Sequence, residues 1–509
     1  MHEVQILRDN YKDSVRLLEA TRSMLTAPGV DFAWALMGTE ANLRTLATEG
    51  FDDLDGASAN DLVLAVRASD SADRSSALAL ADEVLFAKTT SEGGDETVQA
   101  AADLGQAIAS QDGSNLAIIS VPGDYATLET HKALTAGLDV LLFSDNVPIA
   151  DEIALKERAS AMGRLVMGPG AGTAMISGTG LGFANRVTPG RVGVVAAAGT
   201  GAQEAMALLE RWGVGVSHVI GVGGRDLNAD VGGIMARAGI AALEADPGTE
   251  AILLVSKPPA PEVAESLLGT APSKPMVAAL IGLREKLDGV PAEISVCNTL
   301  EQGVVLSLKG LGIDAPDRIG NTPEEVADVI TALPQSRTRL VGLFSGGTLA
   351  YEAMSIAVDH IGPIYSNTPL DKSWAVPAPD GAHVCLDLGE EEYTQGRPHP
   401  MIDPEARMEW MRKQLDDPTV AVVLLDVVLG DGSHADPASL LAPLAAEIVA
   451  SGATVVTYVL GTELDPQGLA KQQEAMRAAG CIVAETAARA ALAAAAVVNR
   501  DPALVHEYF

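Results

Sequence analysis

Two hydrophobic periods take turns along almost the whole chain. MHEVQILRD, DFAWALMG and NDLVLAVRA alternate apolar and polar residues as strands do. SVRLLEATRSML, TEANLRTLATEG and DSADRSSALALADEVLFAKT carry apolar residues at helical spacing. Ser14 or Asp13, and Asp70 or Ser71, stand where helix N-caps belong, and Gly50 ends the second helix. After the polar stretch SEGGDE near 91–96 the pattern resumes. NLAIISVPGDYATLETHKALTAGLDVLLFSD reads strand, turn, helix, strand; IADEIALKERASAMG is a helix; RLVMGPGAG is a strand ending in a glycine turn. Such alternation predicts parallel sheets with helices on both faces. The first strand-to-helix turn, DNYKDS, has no glycine, so a GxGxxG dinucleotide fingerprint is not supported there.

One pattern is written twice. VGVVAAAGTGAQEAMALLERWG spans Val192 to Gly213, and VGLFSGGTLAYEAMSIAVDHIG spans Val341 to Gly362. Each is an apolar run, a Gly/Ser/Thr turn and an amphipathic helix. The backbone N–H groups at such a helix start lack intrahelical partners and lie at the positive end of the helix dipole, which makes an anion site. Glycine lets the anion approach the backbone closely. Gly199, Thr200 and Gly201 in the first turn, and Gly346, Gly347 and Thr348 in the second, are the candidate anion-binding residues. A single glycine turn in an α/β protein is more often a packing device; the repetition favours a site. The repeat extends further, since EADPGTEAILLVS (Glu244 to Ser256) matches LDDPTVAVVLLDV (Leu415 to Val427). The second copy carries an insertion from about Tyr365 to Arg407. The expected domains are 1–186, 187–315 and 339–509, with a Pro-containing linker over 316–338.

Composition narrows the function. The chain has 509 residues, 48% of them hydrophobic but only 4% aromatic, so its core is built from Ala, Val, Leu and Ile. A formal net charge of −34 repels nucleic acid and anionic membranes, which need a basic footprint, yet leaves room for a small anion bound locally. Cys297, Cys385 and Cys481 are scattered and odd in number, no Cys/His spacing forms a metal site, and no apolar run reaches ~18 residues. The N-terminus is charged from its third residue and reads as no signal peptide. A cytoplasmic protein without a structural metal is expected.

Two further stretches could carry chemistry. In GRPHPMIDP, on the insertion, Arg397 could hold a carboxylate or phosphate bidentately, and His399 between prolines has a pKa range suited to proton transfer. A surface loop with an incidental histidine is the alternative. In GGRDLNAD, Gly223 and Gly224 beside Arg225 form a second candidate anion loop; a surface pair of Arg225 with Asp226 is the alternative.

These residues carry a family resemblance. Residues 121–172 resemble the second half of the CoA-binding domain of the succinyl-CoA synthetase α subunit, with Gly168, Pro169 and Gly170 at its GPN-CPG turn. VTPGRVGVVAAAGTGAQEAM resembles the first ligase domain of that subunit, GVGGRDL its GIGGDP loop, and the third unit the ligase domain that ends the β subunit. With DSVRLLEA, GVGGRDL and DLGEEEYTQGRPHPMIDP in order, the whole chain resembles the FdrA family. The resemblance implies a CoA-binding-like Rossmann domain followed by two flavodoxin-like ligase domains with parallel sheets. It departs from the synthetase in two places. The stretch 279–306 has no histidine where the synthetase carries its phosphorylated one, and SKPPA, with Lys257, replaces the GEIGG-like strand end whose glutamate holds that histidine. No segment is long enough for an ATP-grasp domain. The FdrA resemblance implies a subunit of an oxamate carbamoyltransferase that interconverts oxalurate plus phosphate with oxamate plus carbamoyl phosphate in purine and allantoin catabolism. It implies small anionic substrates, companion subunits and no required cofactor, with CoA or a CoA-like nucleotide as the one it allows. An acyl-CoA synthetase half-enzyme needing a nucleotide-binding partner, and a non-catalytic metabolite-binding subunit, are the alternatives.

Overall fold

The computed structural model describes residues 2–12, 14–51, 54, 56–86, 101, 103–111, 113–316, 323–394 and 397–506. The expected N-cap at Asp13 and the polar stretch at 91–96 lie outside them. The chain divides into two compact units, one of residues 1–99 with 391–398, the other of residues 100–390 with 399–509.

In the first unit strands His2–Leu7, Val30–Met37 and Leu62–Ala68 form one sheet with Leu62–Ala68 in the middle, antiparallel to both neighbours. The central strand shows why both sheet faces are covered. Leu62, Leu64 and Val66 pack with Leu17, Ala20 and Met24 of helix Ser14–Leu25 and with Ala77, Ala81 and Leu85 of helix Ser71–Phe86. Val63 and Ala65 pack on the other face with Leu36, Leu46 and Phe51. Asp70 accepts a hydrogen bond from the Asp73 amide and so caps the third helix. This corrects the expectation of one Rossmann-type domain over 1–186. Strand–helix alternation reports the order of the elements and not the direction in which neighbouring strands run. Here the third strand inserts between the first two.

The second unit holds the parallel α/β architecture. Leu116–Ile119, Asp139–Leu142 and Val166–Met167 make a small parallel sheet. A seven-stranded sheet follows, ordered Ile294–Cys297, Met276–Leu280, Ala251–Ser256, Pro189–Ala197, Val216–Gly221, Thr173–Ile176, Thr179–Gly182. Its first five strands are parallel and its last two form an antiparallel edge. This sheet thus takes in strands from Thr173 on, ahead of the expected boundary at 187. The six-stranded sheet is parallel throughout, ordered Ile364–Tyr365, His383–Asp387, Arg339–Phe344, Val420–Val428, Thr454–Leu460, Ile482–Ala484. In both sheets the repeated strand is the one at which the order reverses. Ligands of open α/β sheets bind at the strand C-termini beside such a reversal. Both glycine turns lie there.

Helix Gly199–Arg211 packs on Leu300–Gly310 and on Gly347–Ile361, which packs on Ala487–Asn499. These four helices are shared between the two sheets, and one hydrophobic core draws on both. Residues 487–497 are buried all round, and their alanines let the neighbouring helices approach closely. The linker contributes helix Pro323–Ala332, whose Val326 reaches the same core.

Candidate functional site

The two repeated helix starts meet each other. A Cβ on Gly346 would lie 2.5 Å from the Thr200 side chain, and one on Gly201 would lie 3.0 Å from that of Thr348. The two helix starts are therefore packed directly against each other. Neither helix start has a side-chain cap, since Ala198 and Gly346 stand at the N-cap positions. Gly201, Thr200 and Thr348 are buried at the contact, which leaves no gap for an anion between the starts. Gly199 is exposed, with nothing within 4 Å of its Cβ position, so the first start opens to one side. Ser256 pairs with Ala197 on the neighbouring strand, so half-buried Lys257 follows it at the same sheet edge.

The second start is lined differently. Asp426 occupies the strand position where the first copy has Val255, one charge in a wholly buried apolar strand. Its carboxylate accepts from the Ser345 amide at 2.9 Å, from Ser345 Oγ at 2.9 Å and from buried Arg407. Burial raises Asp426 and lowers Arg407, and the pair offsets both shifts. A Cβ on Gly347 would collide with Asp387 Oδ2. Burial, then Glu390, push Asp387 up to about 7, against the pull of Lys257 from the first sheet and of the Gly389 amide. His399 Nε2 lies 2.6 Å, and Asp387 Oδ1 3.2 Å, from where a Cβ on Gly389 would sit, so that position accepts no side chain. The His399 ring centroid is 6.0 Å from that of Phe183. Burial, then the Arg407 charge, lower its pKa to about 4, so the ring is neutral near pH 7.

Behind the helix starts the copies cap each other's helices. Glu204, in the first motif, accepts from the Ala487 amide of the second half; Glu352, in the second motif, accepts from the Leu300 amide of the first at 2.7 Å. Burial raises Glu204 to about 7 and Glu352 to about 8. Tyr458 donates to Glu204, and Arg489 pairs with Glu301 at 2.9 Å.

The other expected residues lie elsewhere. Gly168 to Gly170 and Gly223 come together, since a Cβ on Gly223 would lie 2.6 Å from Pro169 O, and Gly223 has φ +87°. Gly224 has open space around it. Arg225 is committed to protein groups, 2.8 Å from buried Glu152 and 2.7 Å from Val147 O, and Glu152 and Asp226 both bind buried Lys156 at 2.7 Å. The anion that Arg225 meets is therefore Glu152, and the loop is a structural clamp. Arg397 and His399 were expected to act together, but they belong to different units. Arg397 is exposed and, with Leu17, Trp34 and Asn42, lines a cavity of about 330 Å³ in the first unit.

The CoA binding domain family falls on the stretch expected to be the first ligase domain, not on residues 1–186. The "AllF, heavy metal-associated domain" family matches residues 1–101, the CoA binding domain family residues 187–279 and the CoA-ligase family residues 343–497. The chain is 37% identical over 505 residues to "Uncharacterized protein YahF" of Escherichia coli K12, covering 97% of this chain and 98% of that one. This chain belongs to the FdrA family. Within this succinyl-CoA synthetase-like group it is 27% identical over 231 residues to subunit alpha 2 of the ADP-forming succinate–CoA ligase of Archaeoglobus fulgidus. It is 28% identical over 234 residues to the malate–CoA ligase subunit alpha of Methylorubrum extorquens; each alignment covers 43% of this chain and 77% of the relative. A dinucleotide-forming acetyl-coenzyme A synthetase of Ca. Korarchaeum cryptofilum superposes with a TM-score of 0.27 at 16% identity, over 77% of this chain and 84% of that one.

An FdrA chain is thus of the CoA-ligase enzyme type, and its domain matches suggest a part for CoA. Residues 1–101 contain no cysteine, so no thiolate is available there to a heavy metal. Among the described residues no group of three or more His, Cys, Asp or Glu could hold a metal, and no helix is long and apolar enough to cross a membrane. Sequence reading missed Asp387, Asp426 and Arg407, and named Lys257 only as a replacement. Asp426 left a signal, an acid where the matched strand has Val255; Arg407 left none.

Proposed function

We propose that this chain is a subunit of a cytoplasmic acyl-group transferase that moves a carbamoyl group between oxalurate and phosphate, giving oxamate and carbamoyl phosphate in purine catabolism. The observation that carries the reading is the meeting of the two uncapped helix starts, one open at Gly199 beside Lys257 and the other facing Asp387. Phosphate binds through main-chain amides and the Lys257 ammonium. A phosphate oxygen attacks the ureido carbonyl, the oxyanion is held by N–H groups, and the bond to the oxamate nitrogen breaks as that nitrogen gains a proton. The proton that the leaving nitrogen gains is the one phosphate gives up, so the exchange balances without an added acid, and His399, lowered to about 4, stays neutral beside it. Lys257, rather than Arg397, takes the anion-orienting role, because it stands at this sheet edge. No phosphohistidine is needed, in keeping with the absence of histidine from 279–306.

The complex with its companion subunits is expected to release carbamoyl phosphate from oxalurate and phosphate without nucleotide. Lys257→Ala is expected to raise the KM for phosphate at least about tenfold, the loss of one charge-assisted contact. The CoA-ligase match favours a second reading, thioester formation with a nucleotide-binding partner. If the complex left oxalurate untouched but made a thioester from ATP, CoA and a carboxylic acid, the transferase reading would be replaced by that one.

A further inference from the structure

A cavity of about 260 Å³ opens in the second unit where its two sheets' elements meet. One wall is made by Gly282 to Arg284, which follow strand Met276–Leu280, and by Asn298 and Thr299, which follow strand Ile294–Cys297. Those are strand C-termini of the seven-stranded sheet, the edge at which open α/β sheets take ligands. The other wall is Ser355, Ile356 and Asp359, from the second half of helix Gly347–Ile361. The first wall is fixed by the Gly282 amide, which donates to Asn298 O at 3.1 Å. Gly282 has φ +74°, and a Cβ on it would strike Ser355 Oγ. Arg284 pairs with Asp359 Oδ1 at 2.8 Å and so joins the walls, both side chains being about half exposed. The half-buried Asn298 carboxamide makes no hydrogen bond among the described residues. Thr299 accepts from the Gln302 amide at 3.2 Å, and its own hydroxyl proton has no acceptor among the described residues.

We propose that this cavity binds a small zwitterion of the α-amino acid type. Its charged lining is one cation and one anion, so a guest of either single sign would face a like charge. A zwitterion faces none. Arg284 holds the carboxylate through guanidinium donors not spent on Asp359, and Asp359 holds the ammonium. The two protein charges stand side by side, so a guest meets both only if its own opposite charges are neighbours. An α-amino acid carries them one carbon apart; an acid with its amine at the far end of a chain does not. Asn298 and Thr299 are left to hydrogen-bond the guest's side chain, and Leu283 and Ile356 to cover its carbon atoms. The volume lies just under that of sites for drug-sized ligands, which begin at roughly 300 Å³, and so suits a metabolite of amino-acid size. The site uses none of the residues of the transferase reading and stands or falls apart from it. Because its walls come from both halves, an occupant stabilises their junction.

The test is saturation-transfer NMR of the full chain with each standard amino acid at about 10 mM, enough to fill a site of millimolar Kd. Acetate, methylammonium and γ-aminobutyrate are the controls for single and for separated charges. At least one amino acid is expected to bind, and to raise the Tm of the chain. The three controls are expected to bind at least about tenfold more weakly. Arg284→Gln and Asp359→Asn, on opposite walls, are each expected to weaken amino-acid binding about tenfold. Both replace half-exposed side chains, and if one variant fails to fold the other decides. Absence of binding by every amino acid overturns the inference. So does γ-aminobutyrate binding as tightly as the best amino acid, or amino-acid binding that the folded variants retain in full.

Discussion

Gly346 and Gly199 are one residue type in the same motif, yet they answer to different constraints. At Gly346 the backbone is extended, so no conformational strain demands glycine; the Thr200 side chain 2.5 Å from its Cβ position does. At Gly199 the Cβ position is empty. Gly346→Ala is expected to lower the unfolding free energy by about 1–3 kcal/mol through overpacking. Gly199→Ala is expected to stay within about 0.5 kcal/mol of wild type, because a small surface change touches nothing. Urea midpoints of the two variants check this, and equal losses would refute the close contact of Gly346 with Thr200. Buried Asp426 shows the same logic with charge: it is tolerated in an apolar strand because Arg407 and the Ser345 amide and hydroxyl neutralise it.

Helices rather than loops join the two halves. Each repeated helix sends a glutamate four residues past its threonine to the first amide of a helix in the other half, supplying a partner that helix lacks. Burial makes these caps proton-sensitive. Folded Glu352 holds its proton up to about 8, against 4.5 ordinarily. Its stabilising protonated form is therefore fully present below the ordinary value, and the benefit is lost as pH rises between the two. Relative to Glu352→Gln, which stays neutral, wild type is expected to lose roughly 2–4 kcal/mol between about pH 5 and pH 8. Denaturant melts of both proteins at the two pH values measure it, and parallel pH profiles would contradict it. Strand period and helix period placed most elements correctly, including both repeated units. They did not reveal strand direction in residues 2–68, because periodicity reports which face is buried and not which neighbour pairs.

At the scale of the whole second unit, the shared helical layer ties the seven- and six-stranded sheets into one cooperative block. Arg489 of the second half and Glu301 of the first are both buried, and they pair directly. Arg489→Leu strands a buried carboxyl and is expected to cost about 3–5 kcal/mol. Adding Glu301→Leu removes that charge and should recover most of the loss. Calorimetry is expected to show the two halves unfolding in one transition in wild type. A double variant no more stable than the single would show that the pair does not couple them.

The sequence alone determined what depends on local order. The duplicated strand–turn–helix, the parallel α/β class, the family and the loss of histidine from 279–306 are all written along the chain, since each depends on neighbours a few residues apart or on a pattern repeated whole. Tertiary structure decided what depends on which distant residues share a space. It set the two helix starts against each other, closed the gap expected between them and committed Arg225 to Glu152. It also placed Arg397 and His399 in different units and brought Asp387 to the start of the second helix. A side chain's role follows from its desolvation and its partners, and those are fixed only when segments remote in sequence pack together.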